Sequence, residues 1–222
     1  MSTNLGFGGE IPLTTPDFEQ ASDYILTRLA QELSPLLTYH SLSHTRDDVL
    51  PAAVRLGKAA NLTDEELLLL KTAAVFHDSG FLISYDNHEQ YSIRIAREML
   101  PEFGYSPAQI DIITETIAAT KMPQRPRTLL QQLMCDADLD LLGREDFIEL
   151  NHRLQEEVRH ITKMARTPQA WLADQIKFLE GHAFFTSQAH DSRDAGKLVN
   201  LSRIRSSLSS LNGSGSQGIL LP

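Results

Sequence analysis

From Asp17 to about residue 205, apolar residues recur at three- and four-residue intervals, and no segment alternates in the manner of a strand. Phe18, Ala21, Ile25, Leu29 and Leu33 fall on one side of a helix predicted over Asp17–Leu33. A second helix is predicted from near Ser43 through Val49, Leu50, Ala53, Val54 and Leu56, with Pro51 expected to bend it. Thr63 followed by Glu66 is a capping-box pattern, and the acidic residues 64–66 suit the positive end of a helix that runs to about His77. Asn87 is the expected cap of a helix over Glu89–Leu100. Ser106, Pro107 and Gln109 open another that continues to about Ala119. Thr128–Leu142, Glu145–Met164, Pro168–Phe185 and roughly Asp194–Leu208 complete the set. The fold class expected is all-α, a multi-helix bundle with additional C-terminal helices.

The same pattern sets the organisation. Residues 1–16 are rich in Gly, Thr and Pro without periodicity and are expected to form a flexible arm. The Ser/Gly-rich end is expected to be disordered from about Ser206, making 206–222 a tail. No linker or internal repeat interrupts 17–205, which reads as a single domain.

Composition narrows the function. With 41% apolar and 22% charged residues in 222, the chain matches a soluble protein with a substantial core. A net charge of −9 without a dense Lys/Arg block argues against binding a nucleic-acid polymer. Small phosphorylated ligands stay compatible with it, because a local cation outweighs the net field. Cys135 is the single cysteine, so neither an internal disulfide nor a Cys-based zinc cluster is available. The start MSTNLGFGGEIPLTTP lacks the features of a signal peptide, and no stretch approaches the roughly 20 apolar residues that span a bilayer. A cytoplasmic location without membrane attachment is expected.

Chemistry-bearing residues concentrate in three segments. AAVFHDSG ends an apolar helical run on His77 and Asp78, where neither side chain is easily solvated. TYHSLSHTRDDV holds His40 and His44 at i, i+4, on one face if the segment is helical. MCDADLDLLG places Asp136, Asp138 and Asp140 among leucines. Asp136 and Asp140 share a face opposite Asp138, so one face is expected to meet solvent and the other a metal. Each segment alone has an ordinary explanation: a helix-end histidine, a chance histidine pair, an acidic surface. Together they offer the imidazole nitrogens and carboxylate oxygens that a borderline-to-hard divalent ion takes, with coordination positions left for water and a phosphoryl oxygen.

His44, the His77-Asp78 pair and Asp138, in that order, resemble the H…HD…D signature of the HD-domain superfamily of metal-dependent phosphohydrolases. The similarity runs from about Tyr39 to Gly143. YHSLSHT, FHDSGF, NHEQYS, ATKMP and CDADLDLLGREDF resemble bacterial proteins described as predicted HD phosphohydrolases, and WLADQIKFLEGHAFFT is similar to their C-terminal helices. The resemblance implies that His44, His77, Asp78 and Asp138 ligate a divalent metal ion (Mn, Co, Ni, Mg, Fe or Zn), with Asp78 able to bridge to a second. YHSLSHTRDDV also resembles the metal motif of cyclic-nucleotide phosphodiesterases, which makes His40 the candidate general acid. Ser41 replaces their asparagine, so the substrate class does not carry over. His88 stands about where binuclear members place a second-metal histidine. The segment that would supply a further one, IITETIAATKMP, offers Glu115, Thr116 and Thr120 but no imidazole. One tightly bound ion is therefore expected, with His88 and Glu89 contacting the attacking water, the phosphate or a weaker second ion.

Lys121, after an apolar helix, is a candidate phosphate contact as a point charge. His152, His160, His182 and His190 lie outside the matched core, and His190-Asp191 reads as surface. The expected function is hydrolysis of a phosphate ester, mono- or diester, in a nucleotide or other small phosphorylated metabolite. The alternatives are an HD-fold di-iron oxygenase and a nucleotide-sensing module that binds without turnover.

Overall fold

Helix starts in this chain are set largely by short side chains that accept the first free backbone amides. The computed structural model describes residues 15–164 and 166–214. Asp17 accepts from the Gln20 amide at 2.9 Å and opens α1 (Phe18–Glu32). Reciprocal capping boxes, Thr63 with Glu66 and Ser106 with Gln109, open α3 (Asp64–Phe76) and α5 (Pro107–Ala118). Thr128 and Thr167 cap α6 (Leu129–Asp138) and α8 (Pro168–Gly181). The remaining α-helices are α2 (Leu50–Ala59), α4 (His88–Met99), α7 (Phe147–Thr162) and α9 (Ser187–Ser214). No strand occurs among the described residues, and the expected all-α class holds. None of these helices is long and apolar enough to cross a membrane.

Several local expectations are corrected. The second helix is not uniform: a π-helical turn, His44–Val49, runs directly into α2, with Pro51 in the first turn of α2. Asn87 adopts a left-handed conformation (φ 54°), and its side chain makes no cap to α4. The predicted Thr128–Leu142 helix ends at Asp138 and tightens into a 3-10 turn, Asp140–Gly143. The last helix starts seven residues before Asp194 and runs to Ser214, so residues 206–214 of the expected tail are helical. The rest of that tail, and residues 1–14 of the expected arm, lie outside the described residues.

α3 is the axis of the bundle. It carries apolar residues on nearly all sides, as a helix must when neighbours surround it, and α1, α2, α4, α5 and α6 pack against it. Ala73, Ala74, Val75 and Phe76 are fully buried. One cluster of buried apolar residues runs from Ala21 on α1 to Ile204 on α9.

The two acids flanking Asp138 are structural, which corrects the expectation that their face meets solvent. Asp136 is fully buried and accepts hydrogen bonds from the Phe185 amide (2.8 Å), the Thr186 amide (2.9 Å) and the Thr186 hydroxyl (2.7 Å). Asp140 takes a two-pronged pair from Arg193 of α9, both contacts at 2.8 Å, and a further bond from Arg55 of α2. Buried carboxylates persist when so paired, and here the pairing fastens α9 to the end of α6. The fastening is close. A Cβ built on Gly196 of α9 would stand 2.0 Å from the carbonyl oxygen of Gly143. Gly196→Ala is therefore expected to lower stability by about 1–3 kcal/mol through forced separation of the two backbones. Gly181→Ala, with nothing within 4 Å of its Cβ, is expected to leave the urea midpoint unchanged or slightly raised.

Candidate metal centre

The end of α3 delivers His77 and Asp78 into the interior, 1% and 5% exposed. His77 Nδ1 donates to the Ala74 carbonyl at 2.7 Å, which fixes the proton on that nitrogen and leaves the Nε2 lone pair free. The chain then turns sharply. Ser79 donates to the Phe76 carbonyl, and the Gly80 amide donates to Ser92 Oγ at 2.8 Å. Only glycine fits at position 80, because a Cβ there would meet the carbonyl oxygen of His88 at 1.8 Å. This contact brings the start of α4, and with it His88 and Glu89, beside Asp78.

His44 enters from the first residue of the π-helical turn, and Asp138 from the last residue of α6. His44 Nε2 and His77 Nε2 stand 3.4 and 3.5 Å from Asp138 Oδ1, and 3.6 and 3.2 Å from Asp78 Oδ2. His44 Nε2, His77 Nε2 and Asp78 Oδ2 are all buried without a hydrogen-bond partner. Unpaired buried polar atoms are costly, and imidazole and carboxylate atoms converging this closely suit a cation. His44, His77 and Asp138 form a cluster whose ligand atoms lie within 4.8 Å of one another and could hold a metal ion. The electrostatics agree. Burial alone would raise the Asp78 and Asp138 pKa values, but the surrounding imidazoles hold both well below the ordinary carboxylate range. Burial opposes a charge on His77, yet Asp78 and Asp138 raise its pKa well above the ordinary value. The site favours positive charge, which a divalent ion would supply in place of a proton on His77.

Above the cluster lies a cavity of about 260 Å³, bordered by His40, Asp78, His88, Glu89, Thr120 and Asp138 among others. His40 reaches it by a route that the sequence does not suggest. The helix begins at Leu42, so His40 is not one helical turn from His44. It sits in an irregular segment pinned from α7. Glu157, fully buried, accepts the Tyr39 and His40 amides at 2.8 and 2.9 Å and binds His40 Nδ1. Burial works against protonation of His40, but the bond to Glu157 and the charge of Asp78 raise its pKa above the usual imidazole value. Glu157 went unread because it lies outside the motif. A signal existed: it continues the Leu150, Leu154 spacing of an apolar face, where a glutamate needs a partner.

His88 Nε2 stands 3.5 Å from Asp78 Oδ1 and 3.9 Å from Glu89 Oε1. Its ring stacks on Phe81 at 4.0 Å, and His40 stacks on the same ring at 4.5 Å. Lys121 is not brought in. It is exposed, donates to Asn87 Oδ1 at 3.1 Å and does not border the cavity. His190 pairs with Asp194 on the half-exposed side of α9.

The geometry therefore defines a helical bundle with a buried His/Asp cluster under a small cavity. The chain shares its fold with the crystal structure of Bacillus subtilis YpgQ in complex with ADP. The TM-score is 0.62, with 16% sequence identity over 89% of this chain and 99% of that one. No protein-family model and no curated protein matches the sequence.

Added Mn²⁺ or Co²⁺ is expected to raise the melting temperature of chelator-treated protein. The stabilisation is about 2.7 kcal/mol at a free ion concentration 100 times the Kd. His77→Ala should abolish that shift. An equal shift in wild type and His77→Ala would show that the ion binds elsewhere.

Proposed function

We propose that this protein is a metal-dependent phosphohydrolase of the HD type, acting on a phosphate ester of a nucleotide or other small phosphorylated metabolite. The observation that carries this reading is the convergence of unpartnered His44 Nε2, His77 Nε2 and Asp78 Oδ2, with Asp138, beneath a cavity that also holds two further imidazoles. The ADP complex of a protein with the same fold supports a nucleotide.

His44, His77, Asp78 and Asp138 would hold the ion, which supplies Lewis acidity toward phosphorus and makes water acidic enough to attack near neutral pH. The remaining work falls to the chain. His88 and Glu89, beside Asp78, orient the attacking water and receive its proton. The water oxygen forms a bond to phosphorus as the ester P–O bond breaks. His40, held by Glu157 through Nδ1, gives the Nε2 proton to the departing oxygen. Glu157 is the positioning residue of this pair: it fixes the ring and favours its charged form. Lys121 has no part in this scheme.

Mono- and diester panels with Mn²⁺, Co²⁺, Ni²⁺ or Mg²⁺ test the reading, and Asp78→Ala should remove both turnover and bound metal. His40→Gln should lower kcat by about 10²–10⁴-fold on alkyl phosphates, and much less on p-nitrophenyl phosphate, whose leaving group needs no proton. Equal losses on both substrates would remove His40 from the acid role. Nucleotide binding without turnover would instead favour the sensing module, and oxygen consumption by an iron-loaded protein would favour the oxygenase.

A further inference from the structure

The cavity has a second wall that hydrolysis does not use. Leu141, Phe147, Leu154 and Phe178 make it apolar, and two amides, Asn151 of α7 and Gln175 of α8, interrupt it. These amides are not free to turn. Trp171, 5% exposed, can only donate through its indole N–H, and it does so to Asn151 Oδ1 at 2.8 Å. Asn151 must then present its NH₂ group to Gln175, and Asn151 Nδ2 donates to Gln175 Oε1 at 2.6 Å. The Gln175 carbonyl is thereby taken. Its NH₂ group has no hydrogen-bond partner among the described residues, and Gln175 borders the cavity. A single indole proton thus sets the polarity of the whole relay and ends it in a fixed, neutral donor on an apolar wall.

We propose that Asn151 and Gln175 form a recognition subsite for the nucleobase of the substrate, a conclusion that rests on the nucleotide reading of the same cavity. A flat, neutral aromatic heterocycle covers the apolar wall, and one of its ring nitrogens or carbonyl oxygens accepts from Gln175 Nε2. A sugar phosphate without a base would leave the wall wet and the donor unused. A charged group would find no counter-ion there. Small pockets that are mostly apolar, with a few fixed polar groups, discriminate through the hydrogen bond that a wrong ligand fails to make.

The chain supplies its own probe. Trp171 is the sole tryptophan, so its fluorescence reports occupancy of the relay without any need for turnover. Titration of the metal-loaded protein with nucleosides and nucleoside monophosphates should change Trp171 emission, whereas glycerol phosphate should not. Gln175→Glu keeps the acceptor for Asn151 and removes the donor. It should weaken nucleoside monophosphate binding by about tenfold or more, the loss of one buried hydrogen bond. Gln175→Leu should do the same, and the ratio of kcat/KM for nucleotide over glycerol phosphate should fall by a similar factor. Unchanged nucleotide affinity in both variants would overturn the subsite, as would a wild type that binds no nucleoside or nucleotide. Base binding that is lost in Gln175→Glu, in a protein without phosphatase activity, would keep the subsite and reject the hydrolase.

Discussion

Burial of the C-terminal end of α3 is the constraint on which the rest of the molecule depends. A helix surrounded by five others delivers an imidazole and a carboxylate to a place largely shielded from solvent. Ionised groups in such a place must find charge of opposite sign or give up their own. The protein meets that demand by bringing more groups of both kinds, His44 from the π-helical turn and Asp138 from α6. The unpartnered His44 Nε2, His77 Nε2 and Asp78 Oδ2, with Asp138 beside them, are what suit the centre to a cation.

A second layer of structure holds this arrangement from the far end of the chain. Asp136 and Asp140 bracket Asp138, and both are spent on α9 and the segment before it. Glu157 on α7 grips the backbone and ring of His40. The C-terminal helices are thus the frame of the site as well as its outer wall. Changes in them should be felt at the His/Asp cluster through geometry, without any direct contact to it.

What was legible in the sequence was what short-range physics decides. The caps at Asp17, Thr63 and Ser106 act within three residues, and each is made. The apolar periods around them gave the all-α class. His44, His77, Asp78 and Asp138 stood out together through their resemblance to the ordered H…HD…D motif, since each segment alone has an ordinary explanation. The misses share a different cause. His40 leaves the helix because of a carboxylate 117 residues away, and α6 ends at Asp138 on a turn that α9 covers. Asn87 fails as a cap because its backbone is left-handed, with its side chain turned to Lys121. Asn151 and Gln175 carried no signal at all, since an amide in an amphipathic helix becomes informative only when its neighbour in space is known.

The π-helical turn has a consequence for how this sequence can change. An ordinary helix rotates about 100° per residue, so gaining or losing one residue ahead of Pro51 would swing His44 away from its three partners. The wide turn already accommodates one residue more than an α-helix of the same rise would hold, and the rigid start of α2 gives no slack on the other side. The spacing from His44 to Pro51 is therefore a fixed length, and an insertion or deletion there would displace His44 from the cluster. The irregular segment before Leu42 is free of that restriction. It can vary in length as long as Glu157 still finds two amides and an imidazole to hold.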